Sequence, residues 1–254
     1  MAERLPLDAV IFDAGGTLVR LDFEWIAGML AGLGVTTTDD ALRRGEVEGR
    51  RLYDAAAAGS RDLPPGTPHP PLGSTAPVEA YWGGMLQAAG CPHELVGEAI
   101  ARMHARQASD HFLWAKPMEG ARDALDAIRS LGLRMACVSN SDGRAEAHLV
   151  RCGVREGLEF VIDSQLVGIE KPDPRIFGLA LEKLGVAAAC ALYVGDIRSV
   201  DERGSAAAGM PFLLIDPYGD YAGAGTGRIP GIAGLPRYIA ETFLTPASEE
   251  RRTR

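Results

Sequence analysis

The chain has 254 residues, 46% hydrophobic and 24% charged, with a net charge of −8. That length suits one large domain or a core carrying a smaller insert, and the apolar share is ample for a packed interior. The negative balance argues against a general affinity for nucleic acid or an anionic membrane, but leaves room for one locally positive pocket that takes an acidic substrate.

No apolar run approaches the roughly 18 residues of a membrane span. Met1–Pro6 leads into a strand and carries no signal-peptide pattern. Cys91, Cys137, Cys152 and Cys190 lack any CxxC spacing. Cys137 and Cys190 lie in or beside apolar runs, as small core residues do, so a reduced cytoplasm is the expected compartment.

The first informative stretch is Ala9-Val10-Ile11-Phe12-Asp13-Ala14-Gly15-Gly16-Thr17-Leu18. Four apolar residues running into an Asp read as a buried parallel strand, whose carboxyl end is where open α/β sheets place ligands. Gly15 and Gly16 permit a sharp turn and a close backbone approach, and Thr17 offers a hydroxyl there. By itself the decapeptide fits an ordinary strand-to-loop turn equally well.

Helical spacing follows at Phe23, Ile26, Met29, Leu30 and Leu33, stopped by Gly34. Thr38-Asp39-Asp40 can cap a second helix running to the Ala55–Ala58 tract, with Arg43, Arg44, Arg50 and Arg51 on a solvated face. Gly59–Pro77 holds six prolines and reads as a loop. Val78–Ala89 and Glu94–Ala108 are again helical. After Lys116–Gly120 the character changes to alternation. Helices are expected at Ala121–Ser130, Arg144–Cys152, Pro174–Leu184 and Val200–Ala208. Strands are expected at Leu133–Val138, Phe160–Ile162, Ala191–Val194 and Phe212–Ile215.

Alternation of this kind argues a Rossmann-like parallel sheet with helices on both faces. The first strand belongs to that sheet but is cut off from it by a helical block. The expected organisation is an α/β core of residues 1–21 and 113–246, an inserted all-helical cap of residues 22–112, and a polar, frayed tail over 247–254. The strand ends carry Asp13, Ser139-Asn140 and Gly195-Asp196…Asp201, and Lys171 sits in a turn before a helix. Each alone reads as a cap or turn residue. Together they place Asp13, Ser139, Lys171, Asp196 and Asp201 on one rim of one sheet.

This arrangement resembles the haloacid dehalogenase-like hydrolase superfamily, in the subgroup whose helical cap follows the first strand. The resemblance spans nearly the whole chain and four motifs in order. It implies Asp13 as a nucleophile that forms an aspartyl intermediate. Ser139 would bind the transferring phosphoryl group, and Lys171 would balance charge between nucleophile and substrate. Mg²⁺ would be held by Asp13, the Gly15 carbonyl, Asp196 and, in part through water, Asp201. Ala14, Gly15, Thr17 and Asn140 join Ser139 and Lys171 around the substrate. A carboxylate attacking a phosphate needs such cations to offset the repulsion.

The chain departs from the phosphatase pattern at Gly15, where relatives carry a second Asp as general acid and base. Asp22 and Glu24, just past the turn, are the nearest replacements in sequence. The expectation is a Mg²⁺-dependent phosphatase of a small phosphorylated metabolite. The alternatives are a hydrolase of another bond, such as carbon–halogen, and a weakly active metal- and phosphate-binding protein.

Overall fold

The computed structural model describes residues 4–59, 75–221 and 225–248. Residues 249–254 of the expected polar tail and most of the Pro-rich stretch expected to be a loop lie outside them, while Ala247 and Ser248 are tied down by hydrogen bonds to Leu131 O and Thr245 O. Strands β1 (Leu5–Pro6), β2 (Ala9–Phe12) and β3 (Val19–Arg20) come first. Helices α1 (Phe23–Ala31), α2 (Asp39–Gly59), α3 (Thr75–Ala88) and α4 (His93–Gln107) follow. Then come β4 (Lys116–Pro117), α5 (Ala121–Ser130), β5 (Arg134–Ser139), α6 (Ala145–Arg151), β6 (Val161–Asp163), α7 (Ser164–Val167) and α8 (Pro174–Leu184). The chain continues through β7 (Ala191–Gly195), α9 (Arg203–Ala207), β8 (Phe212–Ile215), β9 (Gly227–Ile229), α10 (Leu235–Thr242) and β10 (Phe243–Leu244).

The main sheet has six strands in the order β6-β5-β2-β7-β8-β9, all parallel. Every residue of β2 and β7 is buried, as the unbroken apolar runs require when both faces of a sheet are covered. From β2 the chain steps outward through β5 to β6, then returns to the other side of β2 as β7. That reversal makes a crevice at the carboxyl ends of β2, β5 and β7. On one face Ile11, Ala136 and Tyr193 pack with Ile176, Phe177, Ala180 and Leu184 of α8.

The chain divides into two compact units, Met1–Arg20 with Ala115–Arg254, and Leu21–Trp114. The second unit is helical and has its own core, which includes Phe23, Ile26, Leu30, Leu42, Trp82, Met85 and Met103. There α2 and α3 touch backbone to backbone. A Cβ on Gly45 would stand 2.5 Å from Met85 O, and one on Gly49 2.6 Å from Tyr81 O. No helix among the described residues is long and apolar enough to cross a membrane.

Several local expectations are corrected. Arg50 is not solvated: it is 3% exposed and paired with Glu46 at 3.1 Å, whose other oxygen accepts from Tyr81 Oη at 2.7 Å. Gly59 ends α2, and α3 already begins at Thr75, so Pro77 lies in a first helical turn, where a missing N–H costs nothing. The helix expected from Val200 starts instead at Arg198 with a wide turn, in which Arg203 N–H bonds Arg198 O. Cys190 is half-buried, in a short turn before β7. Strand β8 is not the last, because β9 and β10 follow. Both are short, and only β9 extends the main sheet.

Gly45→Val would drive a branched side chain into the α3 backbone. It should destabilise the protein by about 1–3 kcal/mol, the usual range for overpacking. Urea unfolding of the variant checks this, and an unchanged midpoint would show that α2 and α3 have room to part.

Candidate active site

Asp13 leaves the end of β2 at the centre of the sheet, its N–H bonded to Val194 O at 2.9 Å. The turn closes at once, because Ala14 O accepts from the amides of Leu18 at 2.8 Å and Val19 at 2.9 Å. Gly16, rather than Gly15, takes the left-handed backbone conformation, with φ 71°. A Cβ on Gly16 would overlap the Asp196 carboxylate, so two independent constraints demand glycine there. Thr17 is fully buried, and its Oγ1 has no hydrogen-bond partner.

Lys171 reaches this rim from the turn before α8. Asp173 caps that helix by accepting from Arg175 N–H, and Pro174 occupies its first turn. The lysine main chain is fixed by Asn140, whose Nδ2 donates to Lys171 O at 2.9 Å and whose Oδ1 accepts from Lys171 N at 2.8 Å. Expected beside the substrate, the Asn140 amide is thus engaged with the Lys171 backbone. The ammonium contacts Asp13 Oδ1 at 2.6 Å, Asp201 Oδ1 at 2.8 Å and Tyr193 Oη at 3.0 Å.

Asp201 is aimed inward by the wide turn after β7. Its Oδ2 accepts from the amides of Asp196 at 3.1 Å and Ile197 at 3.0 Å, and its Oδ1 from Lys171. Protein donors therefore engage both its oxygens. Ser139 ends β5, in register with Asp163 of β6, and is 5% exposed.

One carboxylate oxygen from each of Asp13, Asp196 and Asp201 lies within 4.8 Å of the others. The Asp13 carboxyl is pushed up to about 6: burial raises it most, the Lys171 ammonium pulls against that rise, and the Asp201 charge adds to it. Burial alone would lower Lys171, yet Asp13 and Asp201 outweigh it and hold the ammonium well above its ordinary value. The three carboxylates face a single ammonium. Hard oxygen donors with surplus negative charge are the donor set that Mg²⁺ takes.

Asp22 belongs to the helical unit. It is 8% exposed within the helical unit, where Oδ1 accepts from Trp25 N at 3.3 Å and caps α1. Its Oδ2 accepts from Arg106 Nη2 at 2.6 Å. A carboxylate so engaged is a cap and an ion-pair partner, and the neighbouring Glu24 is exposed. Tyr193 was not singled out from the sequence. The available signal was a phenol inside the apolar run Ala191-Leu192-Tyr193-Val194, since a buried tyrosine hydroxyl seeks a partner.

Residues 7–209 match the family described as haloacid dehalogenase-like hydrolase. The chain is 32% identical to mouse haloacid dehalogenase-like hydrolase domain-containing protein 3, over 85% of this chain and 84% of that one. It is 30% identical to a plasmid phosphoglycolate phosphatase of Cupriavidus necator, over 96% and 98% of the two chains. Among solved structures it resembles the HAD-hydrolase YfnB from Bacillus subtilis, with a TM-score of 0.57 at 17% identity, over 92% of this chain and 99% of that one. With a parallel sheet of this order and matches of this extent, the chain belongs to the haloacid dehalogenase-like hydrolase family.

Proposed function

We propose that this hydrolase is a Mg²⁺-dependent phosphatase of a small phosphorylated metabolite, acting through a phosphoryl group carried on Asp13. The observation that carries this reading is the Lys171 ammonium 2.6 Å from Asp13 Oδ1, with Asp196 and Asp201 beside them. Relatives point the same way. They include the phosphoglycolate phosphatase already described and a glyceraldehyde 3-phosphate phosphatase of Methanopyrus kandleri, 32% identical over 48% of this chain.

In this reading Lys171 holds Asp13 by Oδ1 and leaves Oδ2 to attack phosphorus. The bond from Oδ2 to phosphorus forms as the bond from phosphorus to the leaving oxygen breaks. The leaving group departs as an anion. Water then attacks phosphorus, releasing dihydrogen phosphate and returning Asp13 as carboxylate. Ser139, at the end of the neighbouring strand, donates its hydroxyl to a phosphoryl oxygen. Lys171 offsets the charge gathered between carboxylate and phosphate. Asp13 and Asp196, with the Gly15 carbonyl, hold the metal, and Asp201 holds both Lys171 and the Asp196 turn in place. When bound, Mg²⁺ supplies charge neutralisation at the phosphoryl group. The helical unit, Leu21–Trp114, acts in this reading as the cap that selects substrate. Gly15 brings no acid for the leaving oxygen, which also fits cleavage of a carbon–halogen bond. Halide release without added Mg²⁺ would favour that second reading.

Asp13→Asn should abolish phosphate release while the protein keeps its fold by circular dichroism. Turnover retained in that variant would remove the covalent route.

Because Gly15 supplies no proton, acyl and aryl phosphates should be cleaved faster than alkyl phosphates, by up to the ~10²–10⁴ that a general acid contributes. Rates measured against leaving-group pKa check this, and a flat dependence would mean that another residue gives the proton.

Millimolar Mg²⁺ should raise the melting temperature at pH 7.5. Protons compete for Asp13 near its raised value of about 6, so the gain should shrink as pH falls through that point. Asp196→Ala should erase the gain at every pH. A wild-type melting curve indifferent to Mg²⁺ would count against the site.

A further inference from the structure

Nothing in the chemistry above calls for a hydroxyl at position 193, yet the Tyr193 hydroxyl stands fully buried behind the site. The ring is wedged between Phe177, edge-on at 4.8 Å between centroids, and Phe212, stacked at 6.4 Å. A phenylalanine would fill that slot equally well, so packing does not explain the oxygen. The oxygen accepts from Lys171 Nζ at 3.0 Å. Its own proton has Val138 O at 3.1 Å and Asp201 Oδ1 at 3.3 Å as acceptors. An ammonium has three protons. Around Lys171 the three acceptors are Asp13 Oδ1, Asp201 Oδ1 and Tyr193 Oη, so every proton has its own partner.

We propose that Tyr193 is a positioning residue for Lys171: its hydroxyl takes the third ammonium proton and fixes the orientation of the other two. The proposal rests on reading Asp13 as the nucleophile and Lys171 as its counter-charge. With the hydroxyl in place, one N–H stays on Asp13 Oδ1 and Oδ2 faces the phosphoryl group. Without it, an ammonium with one idle proton in a water-poor pocket can swing between the two Asp13 oxygens and mask the attacking atom for part of the time. The loss then falls on kcat and leaves KM nearly untouched.

The test is Tyr193→Phe with two readouts. The chain has only three lysines, Lys116, Lys171 and Lys183, so protein labelled with ¹⁵N-lysine gives a simple ammonium spectrum. Lys171 is 4% exposed and held by three acceptors, and its ammonium protons should exchange slowly enough to be seen. In the variant that exchange should quicken by about tenfold or more, the scale of a hydrogen bond to a charged group. On an acyl phosphate kcat should fall by about tenfold with KM within about twofold, and adding Tyr193→Phe to Lys171→Met should cause no further loss. Unchanged ammonium exchange overturns the proposal, whether or not the melting temperature falls. So does an equal loss in both backgrounds. If the wild type cleaves no phosphate ester, the phosphatase reading fails on its own. The ammonium spectrum then decides the positioning: faster exchange in the variant sustains it and unchanged exchange overturns it.

Discussion

The ammonium of Lys171, buried between the carboxylates of Asp13 and Asp201, is the interaction on which the rest of the core depends. Taking these three charges out of water is costly, and a buried ion pair seldom improves on a well-packed apolar cluster of the same volume. Stability is therefore a poor reason for such a group to exist, and reactivity a good one. Three separate elements converge to hold it: the end of β2, the turn before α8, and the wide turn after β7. Each is backed by hydrogen bonds that involve the main chain: Asp13 N–H donates to Val194 O, Asn140 donates to Lys171 O and accepts from Lys171 N, and two amides donate to Asp201 Oδ2. Lys171 hangs from backbone on every side, so its position follows from the fold more than from its own flexible stem.

The same economy of space governs Asp196. Its carboxylate lies against the Cα of Gly16, where no side chain fits. That contact ties the first loop of the chain to the loop after β7. Gly195 meets a similar limit, since a Cβ there would stand within 2.7 Å of three Asp201 side-chain atoms. Two glycines thus clear the ground on which two carboxylates stand. Burial is the chief cause of the raised Asp13 value and the Asp201 charge adds to it.

The fold was largely legible because its evidence is additive. Val10–Phe12, Met135–Val138 and Leu192–Val194 are unbroken apolar runs, and helical periodicity between them leaves little choice but a parallel sheet. Asp13, Ser139 and Asp196 were legible for the same reason, since each stands at the end of such a run, whereas Lys171 and Asp201 lie in turns and were legible only together with them. The irregular parts resisted. Strand β9, Gly227-Arg228-Ile229, has only one apolar residue and pairs at the sheet edge, so composition could not announce it. Arg50 looked solvated because its partner Glu46, one turn away, is itself held by Tyr81 from a different helix. The hold of the Asn140 amide on the Lys171 backbone was not legible, because residue type does not reveal which way an amide points. Asp22, nearest in sequence to the missing acid, is held by an arginine more than eighty positions away. Tyr193 was hidden by its own neighbours, since an apolar run invites every member to be read as packing.

The pairing of β2 carries a consequence for how the molecule comes into being. Ala9 finds its neighbours at Arg134 and Ala191, so β2 is made well before either partner strand and is paired on both sides only once β7 exists. Between those events the ribosome delivers all of Leu21–Trp114, whose helices pack on one another around a core of their own. Sheets closed over such distances form slowly, and an unpaired apolar strand is exposed in the meantime. Ala9–Phe12 is only four residues long and ends in a charge, a brief and poorly adhesive edge to leave open. Asp13, Lys171 and Asp201 meet only after β7 and the turn beyond it have been made. Asp13 is thus made long before the residues that surround it, and the cluster exists only once the chain has been made through Asp201.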